Sequence, residues 1–206
     1  MSEDVDAYRR WSEGDQTAGR ELVERHLPSI ARYFANKVAN KADAEELTSE
    51  TFEQCARTLG RFRGESSFRG YLFGIAHNVL RDYLRRFGRA QLVELETAAI
   101  EGLLPSASGQ LQAKRESRLL LAALRAVPLH SQIVLELNYF EELGRFEIAE
   151  ILGVPPGTIA SRLRRGRKQL EEKLAELAES PEQLETTQRG ISDWMESMQR
   201  AIAAGD

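Results

Sequence analysis

The sequence predicts an all-α protein built from two small helical domains. Apolar residues recur at the three- and four-residue spacing of amphipathic helices through most of the chain. Alternating runs of β-branched residues, the usual sign of strands, are absent. Glycine and proline are sparse, with 15 and 6 residues in a chain of 206, so helices can run without frequent interruption.

The composition argues against a membrane protein, a disulfide-stabilised protein and an enzyme. No stretch reaches about 18 consecutive apolar residues, and the first residues lack the basic-then-apolar order of a signal peptide, so we expect no membrane insertion. Cys55 is the single cysteine, which excludes an internal disulfide and favours the reducing cytoplasm. Its spacing from the three histidines fits no metal site, and no phosphate loop or nucleophile elbow is present. We therefore predict no catalytic residue, metal or cofactor.

The first predicted domain covers residues 1–90 and contains three helical patterns. These patterns span roughly 4–40, 42–60 and 66–87. The segment that follows has no clear periodicity, and small or polar residues such as Pro105 and Gly109 are typical of a connection. We predict a flexible linker over 91–112.

The second predicted domain covers 113–178, and a C-terminal helical extension covers 179–206. Helical patterns in the domain span about 114–126, 129–142, 145–152 and 156–178. The extension begins with Ser180, Pro181 and Gln183, a combination typical of a helix start. An apolar stripe along its predicted helix, about 182–203, consists of Ile191, Trp194, Met195, Met198 and Ile202.

Charges are segregated along the chain, although the formal net charge is only −4. Residues 61–90 hold seven basic and two acidic side chains, and residues 157–170 hold five basic side chains and no acid. Residues 43–53 hold five acids and no base. This distribution predicts two surfaces for a polyanion and one for a basic protein surface.

Residues 145–170 fit a helix-turn-helix. Gly153 favours the left-handed end of the first helix, and Pro155 and Pro156 prevent its continuation. The second helix carries a packing seam and a separate polar stripe. The seam consists of Ile159, Leu163, Gly166 and Leu170; the stripe consists of Thr158, Ser161, Arg162 and Arg165, flanked by Arg164, Arg167 and Lys168. Such a helix enters the DNA major groove, where arginine can pair with guanine.

Residues 61–86 combine a basic loop with an aromatic helix. Ser66 or Ser67 is the expected N-cap, and the helix is expected to bury Phe68, Leu72, Ile75, Ala76, Val79 and Tyr83. Tyr71, Phe73, His77 and Asn78 remain, together with Arg81, Arg85 and Arg86. Aromatic rings interleaved with cations suit unstacked bases of a single strand. A plain core helix with a basic outer face is the alternative.

The acidic segment predicts a carboxylate row on one face of a helix. Asp43, Glu46, Glu50 and Glu53 fall within one arc, and Leu47, Phe52, Cys55 and Leu59 fall opposite. A solvated helix face is the ordinary interpretation of such a row. The lack of any compensating cation within it favours a basic partner surface.

Three segments together resemble the extracytoplasmic-function (ECF) type of bacterial RNA polymerase sigma factor. They are DAEELTSETF (43–52), FRGESSFRGYLFGIAHNVLRDYLRR (62–86) and EIAEILGVPPGTIASRLRRGRKQL (147–170), in the family's order and spacing. The resemblance covers about residues 5–175 and implies sigma domain 2, a linker and a helix-turn-helix sigma domain 4. Tyr71 stands where the family usually has tryptophan.

The resemblance implies three sets of contacts. The polymerase-binding set is Asp43, Glu45, Glu46, Leu47 and Glu50, on the clamp coiled coil of the largest subunit. The set for the promoter −10 element is Arg63, Ser66, Ser67, Phe68, Tyr71, His77, Asn78 and Arg81, to which the basic face adds Arg85. The −35 set is the polar stripe and its flanking cations, that is Thr158, Ser161, Arg162, Arg164, Arg165, Arg167 and Lys168.

The expected partners are core RNA polymerase, including its flap, and promoter DNA, with an anti-sigma protein or a regulatory kinase left open. Phosphorylation of Thr48, Ser49 or Thr51 would add charge beside the carboxylate row. The acidic extension is either ordinary packing or a cover for a DNA-reading surface. Two other functions stay open: an operator-binding helix-turn-helix regulator, which would bind duplex DNA unaided, and a sigma-like adaptor that binds polymerase without initiating transcription.

Overall fold

The computed structural model describes the backbone of residues 3–64, 66–87 and 111–190, and side chains over 3–64, 66–86 and 118–190. Every regular element within those ranges is an α-helix, which confirms the predicted fold class. The helices are α1 (Glu3–Ser12), α2 (Gln16–Ala35), α3 (Lys41–Arg57), α4 (Phe68–Phe87), α5 (Leu111–Ala126), α6 (Leu129–Tyr139), α7 (Arg145–Leu152) and α8 (Pro156–Leu177), followed by helical residues 181–190, here α9.

The chain divides into two compact units, the first built on α1–α4 and the second on α5, α6 and α8. Most of the predicted linker lies outside the described residues, so its flexibility and the domain boundaries beside it stay predictions. α5 already begins at Leu111, inside the predicted 91–112 range. None of the described helices is long and apolar enough to cross a lipid bilayer.

The single helical pattern predicted over 4–40 is wrong in one respect, because it contains two helices. Gly14 adopts φ +107° after α1, in the left-handed region that favours glycine. The Asp15 side chain then caps α2 by accepting from the backbone N–H groups of Thr17 at 2.9 Å and Ala18 at 3.2 Å. Both signals are local, and the continuous apolar spacing across them concealed the break.

α1 packs closely on α2 in the first unit. A Cβ atom added to Gly19 would lie 2.5 Å from Nε1 of Trp11, so the indole occupies the space that a side chain on α2 would fill. The core below contains large side chains from α2 and α4, among them Leu22, Ile30, Phe34, Leu72 and Phe73. Close packing of this kind fixes α1 relative to the other helices of the unit.

Two details of the predicted core of the first unit are wrong. Leu47 and Cys55 are buried on α3 as expected, but Phe52 and Leu59 are half-buried. On α4, Phe73 is buried, and Ile75 is half-buried instead. Thr48 and Thr51 take part of the buried face of α3 because their hydroxyls donate to backbone carbonyls one turn back, at 2.6 and 2.8 Å.

The helix-turn-helix of residues 145–170 forms as predicted. Gly153 adopts φ +62° at the end of α7, Pro155 is extended, and Pro156 is the first residue of α8. The predicted seam is buried at all four positions, Ile159, Leu163, Gly166 and Leu170. A Cβ atom on Gly166 would lie 3.2 Å from Cγ of Leu135, which confirms the close approach of α8 to α6.

Replacing Gly166 with valine is expected to destabilise the second unit by about 1–3 kcal/mol, because overpacking this contact must displace Leu135. Faster amide hydrogen exchange in α6 and α8, followed by mass spectrometry, is the measurement. Gly157→Val is the matched control, since a Cβ atom on Gly157 meets no described atom within 4 Å. Equal exchange rates in the two variants would contradict the predicted role of Gly166.

The start of α9 also agrees with the sequence. Ser180 Oγ accepts from the backbone N–H of Gln183 at 3.2 Å, and Oε1 of Gln183 accepts from the N–H of Glu179 at 2.7 Å. This arrangement resembles a capping box, but the Gln183 side chain accepts from the residue before the N-cap rather than from the N-cap itself. The apolar stripe predicted from Ile191 onward lies outside the described residues.

Candidate nucleic-acid and polymerase surfaces

The polar stripe of α8 lies on the surface of the second unit. Ser161 and Arg165 are exposed, and Thr158 and Arg162 are partly exposed. Burying the seam turns this stripe outward, because the two sets of residues occupy different faces of one helix. Ser161 Oγ donates to the carbonyl of Thr158 at 2.9 Å, which orders the first turn of the stripe.

The cations beside the stripe have different surroundings. Within the part of the chain that the structure describes, Arg162, Arg164 and Arg165 make no ion pair with a carboxylate. Lys168 lies 3.7 Å from Glu172 in an exposed pair one turn apart, an arrangement that contributes little stability. α8 therefore presents three arginines whose charge is not neutralised by a neighbouring side chain.

Arg167 differs from the other arginines of α8. Its guanidinium lies over the ring of Tyr139 at 5.4 Å from the centroid, and its Nε atom is buried. The cation–π contact joins α8 to α6. Arg167 thus has a packing role that the sequence did not indicate, whereas the predicted contact with DNA is still untested.

His130, which the sequence did not single out, lies near the polar stripe. It occupies the first turn of α6, and partial burial together with the charges of Arg162 and Arg165 lowers its pKa. The ring is therefore neutral at pH 7. Its proximity arises from the packing of α6 on α8, which a search along the sequence does not reveal.

The loop between α3 and α4, residues 58–67, carries part of the predicted −10 set; it is called the −10 loop below. Gly60 and Gly64 adopt φ +86° and +73° and set its path. Arg63 is exposed between them, and Ser66 is partly exposed. Ser67 is the N-cap of α4, because its Oγ accepts from the N–H of Gly70 at 3.0 Å.

α4 continues this surface with a row of exposed polar side chains. Asn78, Arg81 and Arg85 follow one another at intervals of three and four residues and all face solvent. Arg85 pairs with Asp82 at 2.8 Å in an exposed contact on the same helix. The row extends the basic character of Arg63 along the length of α4.

Three residues of the predicted −10 set are buried or half-buried. Phe68 is only 2% exposed, as predicted for the buried face of α4, because its ring packs against Tyr8 and Phe62 in the core, and its role at the −10 element stays a prediction. Tyr71 is half-buried, and its hydroxyl lies 2.9 Å from Oγ1 of Thr58. His77 is half-buried and turns toward Tyr33 on α2.

His77 is held inside the first unit as a neutral residue. Its Nδ1 atom lies 3.3 Å from the hydroxyl of Tyr33 on α2. Burial, with the charges of Arg81 and Lys37, lowers the pKa of His77 from the ordinary 6.5 to about 4. Any contact it makes with DNA is therefore that of an uncharged ring.

The structure adds two aromatic residues that the sequence did not single out. Tyr8 from α1 and Phe62 from the −10 loop pack edge to face at 5.2 Å, and Phe62 lies 5.2 Å from Tyr71. Phe62 is half-buried, whereas Tyr8 is 3% exposed. The FRGESS segment contains Phe62, but nothing in the spacing connects it to Tyr8, which is 54 residues earlier.

The carboxylates of α3 divide into an exposed group and a group tied to α4. Glu45 and Glu46 are exposed. Asp43 accepts a short hydrogen bond from the hydroxyl of Tyr83, and Glu50 lies 3.9 Å from Arg86. Leu47 of the predicted polymerase-binding set is 2% exposed and belongs to the core, as its place opposite the carboxylate row predicted, and its contact with polymerase stays a prediction.

The burial of α3 also limits where a phosphate could be added beside the carboxylates. Thr48 and Thr51 are 5% and 0% exposed, so the expectation of modification at these two hydroxyls is wrong for the folded chain. Ser49 is exposed and stays compatible with it.

The surfaces described above occur in a chain that matches two family models. Residues 22–90 match Sigma-70 region 2, and residues 117–170 match Sigma-70, region 4. α3, the −10 loop and α4 fall in the first match, and α8 falls in the second as far as residue 170. α1 precedes both matches.

Relatives and solved structures agree with the family matches. The ECF RNA polymerase sigma factor SigE of Mycolicibacterium smegmatis is 35% identical over 172 residues, which cover 79% of this chain and 65% of that protein. The factor SigW of Bacillus subtilis is 29% identical over 80% of this chain and 92% of its own length. The sigma factor RpoE from Bartonella quintana, solved with the anti-sigma factor NepR, has a TM-score of 0.61 and 25% identity, covering 76% of this chain and 96% of that one. The chain therefore belongs to the ECF type of the sigma-70 family, the transcription initiation factors that direct RNA polymerase to promoters.

Proposed function

We propose that this sigma factor docks on core RNA polymerase through α3, reads the −35 element as duplex through α8, and reads the −10 element as a melted strand through the −10 loop and α4. It acts in the cytoplasm. The observation that carries the proposal is the separation of charge: un-neutralised arginines on α8 and exposed carboxylates on α3 belong to different compact units.

For the −35 element, Arg162 and Arg165 are the expected base-reading residues. Their side chains share the outward stripe with Thr158 and Ser161, and no carboxylate within the described residues neutralises them. Arg164 and Lys168 are expected to contact phosphate, which supplies affinity that falls with salt concentration. Arg167 is expected to hold α8 against Tyr139. Only the outer edge of its guanidinium is expected to reach phosphate.

For the −10 element, arginines of the loop and of α4 supply the backbone contacts, and Asn78 with two aromatic rings supplies the base contacts. Arg63, Arg81 and Arg85 are expected to hold phosphates. Asn78 and the half-buried rings of Phe62 and Tyr71 are expected to meet unstacked bases, which bind aromatic faces with little dependence on sequence. Ser66 and Ser67 are expected to shape the loop. Phe68 and His77 are expected to support the DNA-contacting residues from beneath the surface.

For polymerase, Glu45 and Glu46 are the carboxylates expected to contact a basic surface of the clamp, with Asp43 and Glu50 beside them. The second unit is expected to contact the flap. The solved RpoE structure contains an anti-sigma protein, and we extend that class of partner to this chain. Ser49 is the remaining position for a regulatory kinase.

Run-off transcription with core polymerase on a promoter library tests the proposal. Specific transcripts are expected only when the chain and core polymerase are both present. A gel shift on the selected duplex, run without polymerase, is the companion measurement. Strong unaided binding without transcripts would indicate an operator-binding regulator, and polymerase binding without transcripts would indicate an adaptor; either outcome contradicts the proposal.

A further inference from the structure

α1 contacts one left-handed glycine of the −10 loop and lies beside the other, although α1 lies outside the region that matches the sigma family models. The N–H of Gly60 donates to the hydroxyl of Tyr8 at 2.9 Å. At the other end, Cγ1 of Val5 lies 3.8 Å from the position that a Cβ atom would take on Gly64. The residues between these glycines include Phe62 and the exposed Arg63.

Tyr8 joins three parts of the first unit at one point. Its hydroxyl also lies within 3.4 Å of the carbonyl of Thr58, the residue that follows α3. Its ring packs against Phe62 in the loop, and against Phe68 and Tyr71 in the first turn of α4, at centroid distances of 5.2, 5.5 and 6.1 Å. A single side chain, only 3% exposed, therefore contacts the end of α3, the −10 loop and the start of α4.

α1 is itself held in place, so Tyr8 cannot follow the loop if the loop moves. Asp4 contacts Nε2 of the buried His26 at 2.9 Å, and Arg25 pairs with Glu3 at 2.8 Å. Trp11 fills the space above Gly19 on α2. Two polar contacts and one close packing contact thus fix α1 on either side of Tyr8.

We propose that Tyr8 is a positioning residue for −10 recognition, which orders the −10 loop before DNA arrives. The inference rests on the proposed function of that loop. Gly60 and Gly64 allow the chain to reach its path, but glycines also lose the most conformational freedom on ordering. A hydrogen bond that the Gly60 N–H donates to a fixed, buried hydroxyl reduces the conformational freedom of the loop before the base binds, and binding strengthens accordingly.

The test is Tyr8→Phe, which keeps the packed ring and removes only the hydroxyl. Holoenzyme is titrated with a fork DNA whose non-template −10 strand is single-stranded, taken from a promoter selected in run-off transcription. Affinity for this strand is expected to fall about three- to tenfold, the effect of one hydrogen bond. Discrimination against altered bases in the −10 strand is expected to weaken by a similar factor.

A general folding role predicts different results, so three further measurements accompany the titration. Affinity for core polymerase and affinity of holoenzyme for the −35 duplex are expected to match wild type, and the unfolding temperature is expected to fall by only a few degrees, as the loss of one hydrogen bond predicts. Tyr139→Phe, which removes a hydroxyl from a 3% exposed tyrosine in the second unit, is the matched control. It is expected to leave −10 affinity and discrimination unchanged.

The outcomes separate the inference from the function on which it rests. Wild-type strand affinity and discrimination in Tyr8→Phe would overturn the inference alone, as would an equal loss of core, −35 and −10 binding. Failure of wild-type holoenzyme to bind the single-stranded −10 element would overturn the proposed function and the inference together. A loss of affinity for the −10 strand alone in Tyr8→Phe would support both the inference and the proposed function.

Discussion

Substituting alanine for both Arg162 and Arg165 is expected to remove −35 recognition by the holoenzyme. Each bidentate arginine–guanine pair is worth about 1–3 kcal/mol of discrimination, so the double variant should lose about 100-fold in affinity for the selected −35 duplex. The fold should survive, because neither side chain pairs with a carboxylate in the described residues and the seam of α8 is untouched. Fluorescence anisotropy of holoenzyme with labelled −35 duplex measures the loss.

Lys168→Ala is the matched control for this double variant. Lys168 is exposed on the same helix and lies 3.7 Å from Glu172, and it flanks the polar stripe, so we expect it to contact phosphate rather than bases. Its removal should weaken binding to selected and scrambled duplexes equally and reduce the salt dependence by about one phosphate contact. If the double arginine variant also weakens both duplexes equally, Arg162 and Arg165 bind backbone only and α8 does not read sequence through them.

The sequence predicted the second unit more fully than the first, because the signals in the second unit act over short distances along the chain. Gly153, Pro155 and Pro156 act within a few residues of the turn that they define, and the seam of α8 follows from helical periodicity. Burial of that seam then determines which face carries Arg162 and Arg165. The close approach at Gly166 was predictable because only a residue without Cβ permits it.

Features that depend on contacts between distant segments were not predictable in this way. Tyr8 reaches the −10 loop 52 residues later, and His77 turns to Tyr33 from 44 residues away. Helical periodicity predicts the face of the helix on which such a residue lies, but it does not predict which distant residue it contacts. Phe68 and Leu47 lie on the buried faces that periodicity predicted for them, although the family motifs include both in functional segments.

Reversing the charge of Glu45 and Glu46 to lysine is expected to abolish stable association with core polymerase. Like charges brought together at an interface cost several kcal/mol, so affinity should fall by about 100-fold or more. Both side chains are exposed, and the only pair either makes among the described residues is the exposed contact of Glu45 with Lys41 at 3.3 Å. The first unit should therefore remain folded, since Asp43 keeps its bond to Tyr83 and the buried face of α3 is unchanged.

A variant with the same change in charge elsewhere distinguishes docking from a general electrostatic effect. Glu24→Lys combined with Glu171→Lys places two lysines at exposed positions on α2 and α8, and it should keep core affinity within about threefold, because charges beyond about 10 Å are largely screened at 0.1 M salt. Wild-type affinity should fall as salt rises, whereas the Glu45/Glu46 variant should lose most of that dependence. Equal losses in the two charge variants would mean that net charge governs association. Unchanged core affinity in the α3 variant would instead show that the carboxylates of α3 do not dock on polymerase, even if transcription were lost.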